Sequence, residues 1–199
     1  ASSVGGLIMV LAGMGWWLAT GARKLRADAA GLSNPWWATA TLVWVCIQGA
    51  FGALTVTMKL FPAIVTLHLM FGIGLLALLM AQAVRYDGAG TRAVPAGLRT
   101  GLWVGFVLLW LQIALGGWVS TNYAVLACSE FPMCQGSWWP PMDFATGFQW
   151  WRELGMDRSG AAIPFAALTA IHMAHRLFAV LVLAALLWAA WRLGRAGAV

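Results

Sequence analysis

The three histidines of the chain all lie inside long apolar segments. His68 stands in one such segment, while His172 and His175 are three residues apart in the run A-I-H-M-A-H-R-L-F-A, which also contains Arg176. Ionisable side chains at membrane depth cost free energy and are usually functional, and neutral imidazole is the commonest metal ligand in proteins. The residue types therefore predict a metal or cofactor site, with hydrogen-bonded core histidines as the simpler alternative.

An internal repeat relates two of these histidines. Two apolar segments end in the pattern Q-x-x-x-G, and each is followed by a segment that carries a histidine. The matched residues are Gln48 with Gln112, Gly52 with Gly116, Thr57 with Thr121, and His68 with His175. A spacing of four puts the amide and the glycine on one helix face, where helix packing alone would also favour them. The repeated helix pair predicts a pseudo-symmetric bundle with two related sites.

His68 and His175 are predicted to be axial ligands of haem iron. His68 lies about 9 Å below the start of its helix at 1.5 Å per residue, and the overlong last segment brings His175 to a similar depth. Histidine is a standard haem ligand, and the nearby glycines would leave room for a flat porphyrin. Copper is the less favoured alternative, because His, Met and Cys do not cluster at ligand spacing.

His172 and Arg176 are predicted to support the ligand His175. His172 is its neighbour on one helix face, and we expect it to carry a proton or to pair with a haem propionate. Arg176 would either bind a propionate through charge-assisted hydrogen bonds or extend towards the outer membrane surface.

The elements that must position these residues are membrane helices. Of 199 residues, 62% are hydrophobic and 9% are charged, against about 25% charged in a soluble domain. We predict an all-α integral membrane protein, folded as an antiparallel helical bundle, because lipid offers backbone groups no other partner. The predicted spans are Val4–Thr20, Trp36–Thr55, Pro62–Val84, Thr100–Thr121 and Pro164–Trp191.

The distribution of charge predicts the orientation of these spans. Most basic residues lie in loops on one side, which identifies that side as cytoplasmic and explains the net charge of +6 without nucleic-acid binding. The cytoplasmic set is Arg23, Lys24, Arg26, Arg85, Arg92, Arg99, Arg192 and Arg195. The segment 122–163 is then expected outside, in an oxidising compartment.

This outer segment contains two cysteines and many aromatic residues. Cys128 and Cys134 are predicted to form a disulfide, with either a structural or a redox role. Its short loop implies a stabilisation of roughly 2–3 kcal/mol. The tryptophans suit the membrane interface, the stretch F-Q-W-W-R-E-L is predicted to form a short interfacial helix, and the segment as a whole is expected to form a lid.

Taken together, the motifs resemble the haem A synthase family in its bacterial form. The matching patterns are Q-x-x-x-G-x-L-T-V, P-x-x-x-x-x-H-L, A-C-S-E-F-P-M-C-Q-G-S-W-x-P-P-M-D-F and I-H-x-x-H-R-L-x-A, and they cover nearly the whole chain. The resemblance implies two pseudo-symmetric four-helix halves in the bacterial inner membrane. It also implies oxidation of a methyl group of haem O to a formyl group, which gives haem A for terminal oxidases.

Residue roles follow from the same resemblance. The five spans look like helices two to six of eight, with 1–84 in the N-terminal half, 85–99 as a cytoplasmic linker and 100–199 in the C-terminal half. His68 then falls in the site for the substrate haem O, and His175 in the site of a permanent haem B. His172 stands where the other half of the family carries a catalytic glutamate, and no catalytic residue is assigned to this chain.

The family motifs without a counterpart here are the first helix with its cysteine loop and glutamate, the second-helix histidine, and helices seven and eight with the last histidine. Each ligand histidine therefore lacks its partner, and we expect a part of a longer enzyme. The implied partners are membrane lipid, haem O delivered by haem O synthase, an electron donor of unassigned identity and a second copy of the protein.

Two rival functions use some of the same residues. A dihaem cytochrome b-type electron carrier would also place histidines in a helical bundle, but it would not require the cysteine loop. A disulfide-forming membrane oxidoreductase would use outer cysteines, but such enzymes usually need two reactive pairs, and the outer segment has one.

Overall fold

The computed structural model describes residues 35–86 and 95–195, and in these ranges it contains helices and no strand. Its four long helices are α1 (Pro35–Thr57), α2 (Pro62–Tyr86), α3 (Ala96–Thr121) and α5 (Phe165–Arg195). A 3₁₀ helix, η1 (Ala124–Ala127), and the one-turn helix α4 (Phe144–Gly147) lie between α3 and α5. The predicted span Val4–Thr20 lies outside the described residues.

Each long helix can cross a membrane. Their apolar stretches are 21, 23, 26 and 31 residues long, with mean hydropathy between 1.6 and 2.3. About 20 apolar residues are enough to span the hydrocarbon core. The prediction of an all-α, multi-pass integral membrane protein is therefore confirmed. The 31 residues of α5 correspond to roughly 46 Å, which exceeds the core thickness, as the sequence predicted.

The described residues form two compact units. The smaller comprises 35–46 and 75–86, and the larger comprises 47–74 and 95–195. Within the smaller unit, the Gln82 amide donates to the Thr41 hydroxyl at 2.7 Å and to the Trp37 carbonyl at 3.3 Å. An amide buried among apolar helices needs such partners, because lipid supplies none.

Small residues let the helices of the larger unit approach closely. A Cβ at Gly101 of α3 would overlap the Trp188 ring of α5, and Gly116 meets His175, so these two helices run antiparallel. A Cβ at Gly117 would come within 2.9 Å of Leu69 on α2. Glycine at such contacts allows van der Waals packing, which drives helix association in lipid.

The buried core of the larger unit lies at the end where α1 turns into α2 and α3 leads into the long loop. Its members are Phe61, Ala63, Ile64, Trp118, Val119, Ala124 and Ile171. Many large apolar side chains elsewhere on the helices remain exposed, as lipid-facing residues are. The fold therefore concentrates its packing beside the histidines and under the loop.

Candidate functional site

His68 is held between α1 and α2 by a glutamine and a glycine. The Gln48 Nε2 donates to the His68 backbone carbonyl at 3.1 Å and lies 3.5 Å from the ring Nε2. A Cβ at Gly52 would stand 3.2 Å from the His68 Cε1. Gln48 and Gly52 are one helical turn apart, so both face the imidazole from α1.

His175 is held in the same way between α3 and α5. The Gln112 Nε2 donates to the His175 backbone carbonyl at 3.2 Å and lies 3.0 Å from the ring Nδ1. A Cβ at Gly116 would stand 3.1 Å from the His175 Cε1. The repeat found in the sequence thus corresponds to a repeated contact set, which we call the Gln–Gly pair.

The glycines of both pairs make room for the imidazole rings themselves. Distances of 3.2 and 3.1 Å from a built Cβ to the histidine carbons mean that any larger side chain would displace the ring. The sequence analysis attributed these glycines to space for a porphyrin. In the structure the space beside Gly52 and Gly116 belongs to His68 and His175.

Each of the two rings keeps one nitrogen that the protein does not engage. The His68 Nδ1 is buried and has no hydrogen-bond partner. Both ring nitrogens of His175 lie near the Gln112 Nε2, the Nδ1 at 3.0 Å and the Nε2 at 3.4 Å. The Gln112 amide carries two hydrogens, one of which goes to the His175 carbonyl, so it can donate to only one of the two nitrogens. A buried imidazole nitrogen without a partner costs free energy, and an iron ligand bond would remove that cost. The residues present fit the axial ligation of haem.

A metal site built from protein side chains alone has no support in the described ranges. No three His, Cys, Asp or Glu side chains there come together in a way that could hold a metal ion. Ligation through a single imidazole, as in a haem, is the arrangement that this donor set suits.

His172 differs from His175 because both of its ring nitrogens are engaged. The Nδ1 lies 3.0 Å from the Ala124 carbonyl oxygen, and the Nε2 accepts from the Arg176 Nε at 3.0 Å. A carbonyl only accepts and a guanidinium only donates, so Nδ1 carries the proton and the ring is neutral. The side chain is 7% exposed. His172 therefore has no nitrogen left to bind a metal.

Arg176 connects α5 to the cysteine loop. Its Nη1 donates to the Met133 carbonyl at 3.1 Å, and its guanidinium lies 5.6 Å from the centre of the Phe131 ring. Because His172 holds the other edge of the guanidinium, the orientation of Arg176 is set from two sides. The side chain is bound to the protein rather than extended towards the membrane surface.

The predicted disulfide between Cys128 and Cys134 is confirmed. Both cysteines are buried against Met173 of α5, with Met142 packed beside them. The adjacent Gln135 donates to the Thr169 hydroxyl at 2.8 Å and to the Ala127 carbonyl at 3.2 Å. The cysteine loop thus lies directly on the helix that carries His172 and His175.

Arg152 is a further anchor of the loop that the sequence analysis did not identify. It is 3% exposed, donates to the Met156 carbonyl at 3.0 Å and to the Asn122 amide oxygen, and lies over the Trp118 ring. Burial lowers the pKa of its guanidinium, and the charge of Asp157 opposes that shift. The sequence feature that could have pointed to Arg152 is its position directly after two tryptophans.

The prediction of a short interfacial helix at F-Q-W-W-R-E-L is wrong, because residues 148–154 form turns, bends and irregular backbone. The helix in this region is α4, which ends just before that stretch. Trp151 instead packs against Phe61, with ring centroids 4.7 Å apart, and Arg152 turns into the protein. The stretch is therefore held by one exposed aromatic contact and one buried arginine.

Comparison with known proteins gives one family. The sequence model of the family described as "Cytochrome oxidase assembly protein" (COX15-CtaA) matches residues 1–198. The chain is 35% identical over 157 residues to a protein named "Heme A synthase" from Shewanella oneidensis, covering 75% of this chain and 46% of that protein.

Two further relatives carry the same name. The one from Symbiobacterium thermophilum is 32% identical over 127 residues (58% of this chain, 41% of the relative), and the one from Halalkalibacterium halodurans is 26% identical over 151 residues (72% and 47%). The chain spans less than half the length of these curated relatives. No solved structure matches the chain.

Proposed function

The chain belongs to the COX15-CtaA family of cytochrome oxidase assembly proteins, and from this premise we propose that it forms part of a haem A synthase. The reaction is the oxidation of a methyl group of haem O to a formyl group. The observation that carries the proposal is the repeated Gln–Gly pair, in which a glutamine amide donates to the backbone carbonyl of each histidine and cannot donate to both nitrogens of its ring.

Under this proposal the two histidines have different tasks. His68 binds the iron of the substrate haem O, and His175 binds the iron of a permanent haem B. The haem iron supplies the redox chemistry when it is bound. The protein's contribution is orientation, because the amides of Gln48 and Gln112 fix the helix carbonyl and the ring of each ligand together. The helix pairs that carry them belong to the two related halves, 1–84 and 100–199, joined by 85–99.

His172, Arg176 and the disulfide loop would cover the His175 site. His172 holds Arg176, and Arg176 holds the loop at Met133. A covered site excludes water from the haem that it holds, which strengthens electrostatic interactions inside it. The dihaem electron carrier has no need for such a cover, which favours the synthase.

We also propose that the protein lies in the bacterial inner membrane with 122–163 on the outer side. Haem O would enter from the lipid or from haem O synthase, and an electron donor and a second copy of the protein complete the expected partners.

Haem binding by the whole protein tests the ligand assignment. His175→Ala should remove the haem B bands from a reduced-minus-oxidised spectrum. His172→Ala should leave most of them, because no nitrogen of His172 is free for iron. Equal loss of haem in both variants would refute this division of roles.

Turnover tests the reaction and separates the two functions. The whole protein, loaded with haem B and supplied with haem O and an electron-transfer partner, should yield haem A detectable by mass. A correctly folded, haem-loaded protein that yields none would point to the electron carrier. If His68→Ala kept full turnover, the substrate site would have to be elsewhere.

A further inference from the structure

A cavity of about 190 Å³ lies between the start of α3 and the end of α5, at the opposite end from the disulfide loop. Pro95 and Leu98 line it from one helix, and Arg192 and Arg195 line it from the other. The two helices are held together here by Trp188, whose ring fills the space beside Gly101. Helix packing therefore fixes the backbone on both sides of this open cavity, into which the exposed side chains of Arg192 and Arg195 extend.

Both arginines line this cavity, and neither forms an ion pair with another residue of the ranges 35–86 and 95–195. The Arg192 guanidinium lies 5.9 Å from the centre of the Trp188 ring, and that of Arg195 lies 4.3 Å from the Trp191 ring. Stacking uses the face of a guanidinium and leaves its edge N–H groups free to donate. In the described part of the chain, neither the first turn of α3 nor the last turn of α5 contains an acidic residue.

A simpler account explains only part of this arrangement. Arginines at the end of a helix interact favourably with its dipole, and long basic side chains extend towards the membrane surface. Neither effect requires two arginines to line a cavity together with a second helix. Arg192 and Arg195 are three residues apart, so they project from one face. Pro95, at the N-cap of α3, gives no side-chain hydrogen bond to the first turn of that helix.

We propose that this cavity binds a phosphate group carried by an anionic phospholipid headgroup or by free phosphate. Guanidinium edges match phosphate oxygens with two parallel hydrogen bonds. Tryptophan rings prefer the depth of lipid headgroups, and anionic lipids attract basic residues beside membrane helices. The site is independent of the histidines and of the proposed reaction.

Lipid binding to the delipidated whole protein, measured by native mass spectrometry, tests the site. The probes are dioleoyl phosphatidylglycerol, dioleoyl phosphatidylcholine and inorganic phosphate. The variant is Arg192→Gln with Arg195→Gln, and the matched control is Arg158→Gln, an exposed arginine on the outer loop. A contribution of about fivefold in affinity for each basic residue predicts a loss of roughly 25-fold in phosphatidylglycerol binding for the double variant.

The three probes distinguish a lipid headgroup from free phosphate as the ligand. Preference for phosphatidylglycerol over phosphatidylcholine in the wild type and the control, but not in the double variant, supports a lipid headgroup. Displacement of the lipid by millimolar inorganic phosphate supports a site for free phosphate. The replacement of both arginines by lysine keeps the charge but not the paired hydrogen bonds. This variant should bind phosphatidylglycerol more weakly than the wild type and more tightly than the double glutamine variant. An unchanged lipid preference in the double glutamine variant overturns the proposal.

Discussion

His172 and His175 are only three residues apart on one helix, but their ring nitrogens differ in how the protein engages them by hydrogen bonds. His172 donates a hydrogen bond to a carbonyl and accepts one from Arg176, whereas the two ring nitrogens of His175 share a single available hydrogen of the Gln112 amide. The difference comes from the neighbours of each ring, since 3.6 residues per turn rotate the two side chains towards different elements. Residue type alone does not distinguish a ligand from a positioning group.

The contact between Gly116 and His175 leads to a test at this scale. Gly116→Ala adds a Cβ only 3.1 Å from the imidazole, so the ring must shift by a few tenths of an ångström. Such overpacking costs about 1–3 kcal/mol, and we expect weaker retention of haem and a shifted Soret band. Haem content and absorption spectra of the purified protein measure both.

Gly105→Ala is the control for that substitution. Gly105 is on the same helix, and a Cβ there would meet nothing within 4 Å, so haem binding should not change. The helix should gain up to about 1 kcal/mol from the higher helix propensity of alanine. If the two variants bound haem equally well, the role given to Gly116 would be wrong.

At the scale of elements, the long loop is fastened to the helices by several buried contacts. The Trp118 indole donates to the Gly147 carbonyl at 3.0 Å, and Arg152 reaches Asn122 just beyond the end of α3. The disulfide and Arg176 secure the other part of the loop on α5. The loop is therefore a part of the fold rather than a mobile connection.

Arg152 should be the most sensitive of these anchors. Arg152→Met removes its bonds to the Met156 carbonyl and to Asn122, and leaves the Asn122 amide oxygen buried without a donor. Hydrogen bonds from a charged group contribute about 1.5–3 kcal/mol, so the loop should open more often and be cleaved faster by protease. Limited proteolysis checks this, with the exposed Arg158→Met as the control. Equal cleavage of both variants would mean that Arg152 is dispensable.

The loop is also predicted to loosen in acid. The Ser159 hydroxyl and backbone, with the Ala161 N–H, donate to Asp157, and the Ser159 side-chain bond is the main reason that its pKa lies below 3.8. A carboxyl group with a lowered pKa in the folded state stabilises that state fully above its unfolded value, and the contribution is lost as pH falls through the folded value.

Protease sensitivity around Asp157 should therefore rise below about pH 4 in the wild type. In Asp157→Asn the loop should be looser at neutral pH and should change less on acidification. An acid-stable protease such as pepsin provides the measurement below pH 4. A wild-type loop with the same sensitivity at pH 6 and pH 3 would contradict the role of this carboxylate.

Local features of the sequence predicted the helices and the Gln–Gly pairs, because a spacing of four residues on a helix fixes a shared face. Contacts across long separations were not predictable in this way. Arg152 donates to Asn122, which is 30 residues earlier. Trp151 packs against Phe61, which lies in the connection between α1 and α2. The stretch F-Q-W-W-R-E-L has the composition of an interfacial helix, but these distant partners hold it in turns.

At the scale of the larger unit, net positive charge lies at one end. Arg99, Arg192 and Arg195 lie where α3 begins and α5 finishes. The four acidic residues of the described ranges lie in the loop at the opposite end, where Lys59, Arg152 and Arg158 balance most of their charge. Basic residues favour the cytoplasmic side of a membrane. This asymmetry supports the proposed orientation.

Cysteine labelling of intact cells tests that orientation. In a variant lacking the free Cys46, Ala161→Cys should react with a membrane-impermeant maleimide before lysis. Gly97→Cys, at the other end of the larger unit, should react only after the cells are opened. Labelling of Gly97→Cys in intact cells would reverse the proposed topology.

The contact of Gly117 with α2 has a consequence for how the protein can change in evolution. Its neighbour Gly116 borders His175, while Gly117 itself meets Thr66 and Leu69, which flank His68 in the chain. The Thr66 and Thr121 hydroxyls join the same two helices at 3.2 Å. Substitutions in residues that share such contacts are not additive in their effects. The two histidine sites share a repeated sequence pattern. Where α2 and α3 are in contact, a substitution in one site therefore changes which residues the other site tolerates.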